Sequence, residues 1–524
     1  MDGSGTRDFD VRMRRAAMAA AALPFVVAVI WLIVRQWSIR SFGDDAIIEL
    51  RTREAFSTPI LVGQVSRLNT RSLGPLWNYL AWPLYWLFGG RSVGMFIAAA
   101  VLNGTACVLT VGLAWRRHGA VAGAAFLVMM LSLTASLGPH VFADHWNPHP
   151  VVFAMPLLFV LAWSVAKGND NDLIWLAAVV SYALQIHLSG VVSSAVLIAA
   201  MVVARLVNLP RRLPSAHSLK WSAFVVLIAW LPPIVETMMK PPGNLARVAK
   251  FLVLSHDHQS SLADGVRIAV RTLSIPPSWI AGAPSVHQPA GWPRTVTALV
   301  ALLAIAAVAA KAFRGRRRDL AFPMTAVVLI LLAIVLSIWR TIGELVDYTV
   351  LWTVPASMLI WFGLVWCAVE VLAPRVTSVA SKPSNRRLAL NAGAGLSIVA
   401  LCWSTLGAVK APLMSADSRR IAKMSAAIVQ QTSKDRPIVF RLSSSTEVEK
   451  ELGLSVIVDV IKRGRTVRTN DLEKWFEDRD RPARPGDTVI VVSFVDSPDN
   501  SSPDAQGTLI YSDGTALISL VAVS

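Results

Sequence analysis

Residues 16–34 read AAMAAAALPFVVAVIWLIV, and the chain turns polar at Arg35 before reaching Gly43-Asp44-Asp45-Ala46. An apolar run of about 20 residues crosses a bilayer as one helix. Arg12, Arg14 and Arg15 precede it, it exceeds the apolar core of a secretory leader, and no small-residue cleavage site follows. It therefore reads as a retained anchor. Two carboxylates beside a span cost free energy unless they meet water, a cavity or a cation. The membrane face that receives Asp44 and Asp45 reads as the working face.

The composition agrees. Of 524 residues, 54% are hydrophobic and 16% charged, with mean hydropathy +0.53. Soluble domains average roughly 45–50% apolar and 25% charged. The net charge of +17 sits largely in short clusters between apolar runs, at Arg116-Arg117, Arg211-Arg212, Arg314 to Arg318 and Arg386-Arg387. Such clusters orient a membrane protein, and no soluble basic face is left for a nucleic acid. Cys107, Cys367 and Cys402 all fall inside apolar runs and read as small core residues, so no disulfide or zinc framework is expected.

The fold class expected is an all-α polytopic membrane protein with about eleven transmembrane helices and a small C-terminal α/β domain. Spans are predicted near 16–35, 92–115, 120–138, 150–167, 173–207 as a pair, 220–239, 294–312, 320–339, 348–372 and 388–409. The 173–207 run is too long for one helix and is expected to bend at His187-Leu188-Ser189-Gly190. Leu73 to Phe88 is left out of the count. Including it inverts every later loop and places Arg314–Arg318 outside, against the charge rule. Its aromatic residues and Pro83 suit a helix lying in the interface. The linker 373–387 reads as a short inner loop, and 240–293 as a long outer one. The expected domains are 1–410 in the membrane and 411–524 outside as a soluble unit. Strand patterns at 436–442, 488–495, 508–511 and 516–523 and a helical pattern at 447–462 make that unit α/β.

Two constellations carry chemistry. Asp44-Asp45 opens a helical segment, 46–56; acidic residues suit a helix start electrostatically, while a carboxylate there also serves to take a proton from a hydroxyl. Its neighbour orients it or holds a divalent cation. The second is Pro139-His140-Val141-Phe142-Ala143-Asp144-His145-Trp146-Asn147-Pro148-His149, a loop crowded with imidazoles that falls on the same side. Carboxylate and imidazole clusters bind metals, phosphates or sugar hydroxyls. Weaker candidates are His187 near the outer end of span five, His256-Asp257-His258 in the long outer loop, and Arg340, Glu344, Asp347 and Tyr348 before span ten. Arg340 suits a phosphate clamp or an interfacial anchor. Outer-loop Arg40, Arg51, Arg53, Arg67 and Arg71 serve an anionic ligand, or form a helix face paired with Asp and Glu or with lipid headgroups. No Walker A or GxGxxG pattern is present, and no GxSxG in a strand–helix setting, which leaves nucleotide-driven transport and α/β-hydrolase chemistry without support.

The order of these features resembles the GT-C superfamily of membrane glycosyltransferases, which includes protein O-mannosyltransferases, the lipid A aminoarabinose transferase, oligosaccharyltransferase catalytic subunits and mycobacterial arabinosyltransferases. The resemblance rests on Asp44-Asp45 after the first span, on Leu73-Gly74-Pro75-Leu76-Trp77-Asn78-Tyr79-Leu80 in the same loop, and on Ala143-Asp144-His145-Trp146-Asn147-Pro148 between spans three and four. A long outer loop and a terminal soluble domain complete it. Motif detail covers about 1–210 and the remainder matches in layout. The family's His-Pro before the interfacial helix is replaced by Arg71-Ser72-Leu73-Gly74-Pro75, and His145 stands where metal-dependent members carry an acidic residue. The resemblance implies that Asp44 is the base, with Asp45 beside it, that Asp144 and His145 shape the acceptor or donor phosphate site, and that Arg51, Arg53, Arg67 or Arg340 neutralises the phosphate; Asn147, His149 and His187 are added as substrate-binding candidates from their own positions. It implies a polyprenyl-phosphate sugar donor, a glycan, glycolipid or protein acceptor, and a place in the bacterial cytoplasmic membrane. Mannosyl or arabinosyl transfer in the cell envelope is the expected reaction. The rivals are a flippase for lipid-linked sugars, which predicts mid-span charges and paired broken helices, and a non-catalytic scaffold.

Overall fold

The computed structural model describes residues 3–65, 70–207, 214–255, 259–283, 285–380, 383–409, 415–442, 446–469, 472, 488–494, 508–513 and 516–522. The chain starts with α1 (Gly3–Arg35), the short α2 (Asp44–Glu54) and α3 (Leu76–Leu87). Next come α4 (Val93–His118), α5 (Ala120–Leu137), the single turn α6 (Pro139–Phe142), α7 (Pro148–Ala166), α8 (Asp172–Ile186), α9 (Leu188–Val207) and α10 (Ala216–Met239). The long loop carries α11 (Gly243–Leu254), α12 (Leu262–Leu273) and α13 (Ser278–Ala281). Then follow α14 (Trp292–Arg314), α15 (Ala321–Trp339), α16 (Thr353–Ala380) and α17 (Pro383–Gly407).

Among the described residues nine helices are long and apolar enough to cross a membrane, and α8 and residues 393–407 of α17 are shorter apolar helices. These elements fall at the predicted span positions. The break in the 173–207 run is sharp. His187 adopts φ −150° and ψ 149° between α8 and α9. Gly190 lets the next turn pass the α8 backbone, because a Cβ there would lie 1.9 Å from the Ala183 carbonyl oxygen. With 12 residues, α3 is about 18 Å long and too short to cross. Buried Trp77, Ala81 and Tyr85 hold it against Ile48, Met95, Ala98 and Ala99.

α7 is buried along nearly its whole length and forms the axis of the bundle. Around it α1, α4, α5, α9, α12 and α14 to α17 share one apolar core. The outer helices expose Trp221, Phe224, Leu227 and Ile228 on α10 and Leu299, Val300 and Leu303 on α14, as hydrocarbon contact requires. Two expectations are corrected. The linker 373–387 is not a loop, since α16 runs to Ala380 and α17 begins at Pro383, a residue whose fixed φ suits a first helical position. Cys402 is exposed on the periphery of the bundle, while Cys107 and Cys367 are buried.

The C-terminal part adds α18 (Ser415–Gln431), β1 (Ile438–Leu442), α19 (Glu447–Lys462), β2 (Val467–Thr469), β3 (Thr488–Phe494), β4 (Thr508–Ser512) and β5 (Ala516–Ala522). Strand order is β2-β1-β3-β5-β4; β1 runs parallel to β2 and β3, and β5 antiparallel to β3 and β4. α19 begins with a capping box, Thr446 with Glu449. Its apolar face, with Ile421, Met424 and Ile428 of α18, covers Ile438, Phe440, Ile490 and Val492 of the sheet. Ala46, Ile47 and Leu50 of α2 belong to this same core, so the domain rests directly on the helix that opens with the acidic pair.

Candidate active site

α2 sorts its side chains by helical spacing. Ala46, Ile47 and Leu50 face the C-terminal domain, Ile48 faces α3 and α4, and Asp44 and Arg51 look into cavities. Gly43 caps the helix with φ 57° and ψ −127°, a conformation open to glycine. Asp44 and Asp45 then lie in the first turn, where the exposed N–H groups favour negative charge.

The second acidic element is the turn after α6. Asn103 of α4 fixes it by donating from Nδ2 to the Phe142 carbonyl at 3.0 Å. The turn brings Asp144 and His145 beneath Asp45. His145 is fully buried against the Phe96 ring, and its Nε2 lies 3.2 Å from the Asp45 carbonyl oxygen and 3.8 Å from Asp45 Oδ1. His145 Nδ1 lies 3.8 Å from Asp144 Oδ1, and His149 Nδ1 is 3.0 Å from Asp144 Oδ2. Trp146 donates from Nε1 to Asp44 Oδ2 at 3.4 Å. Its ring meets His149 and Tyr348 edge-on.

These neighbours pull the two buried carboxyls apart. Burial pushes Asp45 well above the usual carboxylate range, and the nearby Asp144, Asp44 and Glu451 charges push it further. Burial raises Asp144 too, but His149 and His145 outweigh it and hold Asp144 below that range. Burial pulls His145 below the usual imidazole range, against the opposing pull of Asp144. With Nε2–H spent on the Asp45 carbonyl, the lone pair of Nδ1 is left free. Nδ1 and Asp45 Oδ1 are buried without a hydrogen-bond partner. One donor atom from each of Asp45, Asp144 and His145 lies within 4.8 Å of the others, a carboxylate–imidazole set that suits a divalent cation.

Asp44 is exposed to a cavity of about 450 Å³, also lined by Arg71, Trp146, Asn147, His187, Tyr348, Lys450 and Glu451. Two more cavities adjoin it. One of about 190 Å³ shares His187, Leu188 and Tyr348 and is otherwise mostly apolar, with Val192, Phe251, Leu252, Ile338, Ile342 and Trp352, and Arg340 at its wall. The other, about 310 Å³, shares Arg71 and contains Arg51, Lys240 and Arg247.

The structure thus gathers Asp44, Asp45, Asp144, His145, Asn147, His149 and His187 around one centre, with Arg340 in the adjoining cavity. Arg67 and His256-Asp257-His258 lie outside the described residues. His140 is exposed. Arg53 lies over the Trp86 ring at 5.2 Å. Sequence reasoning missed Glu451 and Lys450, which reach the cavity from α19; they carry no local pattern that separates them from any polar helix face.

No family model and no curated protein matches the chain. Solved structures do. ArnT from Cupriavidus metallidurans in the apo state superimposes with TM-score 0.57 at 13% identity, over 96% of this chain and 97% of that one. The chain has the GT-C fold. A second ArnT structure, bound to undecaprenyl phosphate, gives TM-score 0.48 at 14% identity over 99% of this chain and 98% of that one. The Archaeoglobus fulgidus oligosaccharyltransferase in the apo form gives 0.45 at 12% identity over 92% and 69%. At these identities the likeness is one of fold, and the chemistry rests on this chain's own side chains.

Proposed function

We propose that this chain transfers a sugar from a polyprenyl-phosphate donor to an acceptor hydroxyl on the outer face of a bacterial cytoplasmic membrane, in cell-envelope glycan or glycolipid assembly. The observation that carries the reading is that Asp44 lines the cavity while its chain neighbour Asp45 has a carboxylate oxygen within 4.8 Å of donor atoms of Asp144 and His145. Asp44, the exposed member, accepts the proton of the acceptor hydroxyl as its oxygen bonds to the anomeric carbon. The carbon–oxygen bond to the donor phosphate breaks, and the phosphate leaves with the electron pair. An attack from the face opposite the phosphate inverts the anomeric centre. Trp146 and Tyr348 offer ring faces to the sugar, and the apolar cavity beyond His187 suits the prenyl chain.

Developing charge on the leaving phosphate needs a cation. Arg71 in the cavity beside Asp44 and Arg340 in the adjoining apolar cavity supply it. Asp45, Asp144 and His145 would hold a divalent cation, which supplies further positive charge for the same phosphate when bound. Arg340→Ala is expected to raise the donor KM about 10- to 100-fold, the loss of one charge-assisted contact, with a smaller change in kcat. An unchanged KM removes Arg340 from the donor site.

The test of the whole reading is transfer of labelled sugar from a panel of polyprenyl-phosphate donors, mannosyl and arabinofuranosyl included, to membrane extracts by purified protein. One donor supporting transfer is expected. Pretreatment with a chelator should reduce that transfer, and re-added divalent ion should restore it; full activity after chelation removes the cation. No transfer from any donor, with lipid-linked sugar moved across vesicles instead, would establish the carrier reading.

A further inference from the structure

The C-terminal domain is tied to residues 40–50 at several points. Arg40 Nε pairs with Asp459 of α19 at 2.8 Å, and the Arg40 N–H donates to Ser418 of α18 at 3.0 Å. Gly43 N–H donates to the Ser455 hydroxyl at 2.8 Å, and that hydroxyl donates to the Glu451 carbonyl at 2.6 Å. Lys462, at the end of α19, pairs with Glu49, and its ammonium also donates to Ser92 at 2.7 Å. Glu49 is fully buried; Ser41 donates to it at 2.7 Å and Tyr85 at 3.2 Å.

Each contact bears on where the acidic pair points. Gly43 is the residue before Asp44, and its amide is the last donor before α2 begins. A Cβ at Gly43 would lie 2.9 Å from Glu451 Cδ, so α19 closes on the backbone itself. Glu49 stands one turn after Asp45 on the same helix. We propose that α19 positions the acidic pair: Ser455 fixes the Gly43 amide, Lys462 anchors Glu49, and the C-terminal domain is thereby an integral part of the reaction centre. The inference rests on the glycosyl-transfer reading above. Ser455, Lys462 and Asp459 are positioning residues, because they touch α2 and its entry and not the reacting atoms.

The test uses the full-length protein in nanodiscs, comparing wild type, Ser455→Ala and Ser455→Thr. Hydrogen exchange of amides 43–50 is read by mass spectrometry, and transfer from the active donor is measured with kcat and KM separated. In Ser455→Ala these amides should exchange about fivefold faster, as loss of one backbone-directed hydrogen bond allows. The kcat should fall severalfold while the donor KM and the melting temperature stay unchanged. Ser455→Thr, which keeps the hydroxyl, should restore both readouts. Unchanged exchange at 43–50 in Ser455→Ala overturns the proposal, as does a fall in activity that Ser455→Thr leaves unrescued. Because exchange needs no substrate, a wild type silent with every donor would sink the transferase reading and leave the positioning question decided by exchange alone.

Discussion

Asp44→Asn should lower the transfer rate about 10²- to 10⁴-fold, the range for removing a positioned general base. The substitution is isosteric. The amide oxygen still accepts from Trp146 Nε1, which lies 3.4 Å from Asp44 Oδ2, so the helix start and the cavity wall keep their shape. What is lost is the capacity to take a proton. The donor KM should therefore stay near the wild-type value while kcat falls. Initial rates with labelled donor, at matched expression and with melting temperature as a folding control, measure both. Equal rates in the two proteins would place the base elsewhere or make the protein a carrier or scaffold.

Lys462→Met should be the most destabilising single change at the domain junction, by about 3–5 kcal/mol, the usual cost of leaving one partner of a buried pair uncompensated. In the wild type, burial pushes the Glu49 carboxyl up, but Lys462, with the Ser41 and Ser92 hydroxyls, holds it below the usual range. A carboxylate depressed in the folded state adds stability that is present above its unfolded value of about 4.3 and lost as pH falls through the folded one. Wild-type melting temperature should thus hold from neutral pH to about 5 and decline below. In Lys462→Met the charge that opposes burial is gone and only hydroxyls remain, so the Glu49 carboxyl moves up and the sign reverses. The variant should melt low at neutral pH and recover partly on acidification. Differential scanning fluorimetry in detergent across that range decides it. A variant that melts like the wild type at pH 7 shows that the pair contributes little.

Local pattern made much of the architecture legible. The apolar runs and the arginine clusters between them placed the helices, because a span is defined by its own length and composition. The same arithmetic kept Leu73–Phe88 out of the membrane, and α3 is indeed a 12-residue helix. Extension of α16 and α17 through 373–387 was not legible, since a charged, serine-rich stretch is polar whether it is a loop or a helix leaving the bilayer. Strand patterns located β1, β3, β4 and β5, while the three-residue β2 is too short for an alternation to register.

For the candidate site the sequence by itself determined the chemical types: an acidic pair after the first span, an Asp-His-rich turn after the third, and arginines around them. It also showed that the second motif lacks an acidic partner. Only the tertiary structure decided that Asp45 stands beside His145 from 100 residues away, with donor atoms of Asp45, Asp144 and His145 within 4.8 Å of one another. It alone laid Arg53 over Trp86 and brought Glu451 beside Asp44. It alone joined Lys462 to Glu49 across 413 residues. The physical reason is range. Span length, helical spacing and strand alternation are set by neighbours in the chain. Which charges meet in a cavity is set by how helices and domain pack, and no local period encodes that.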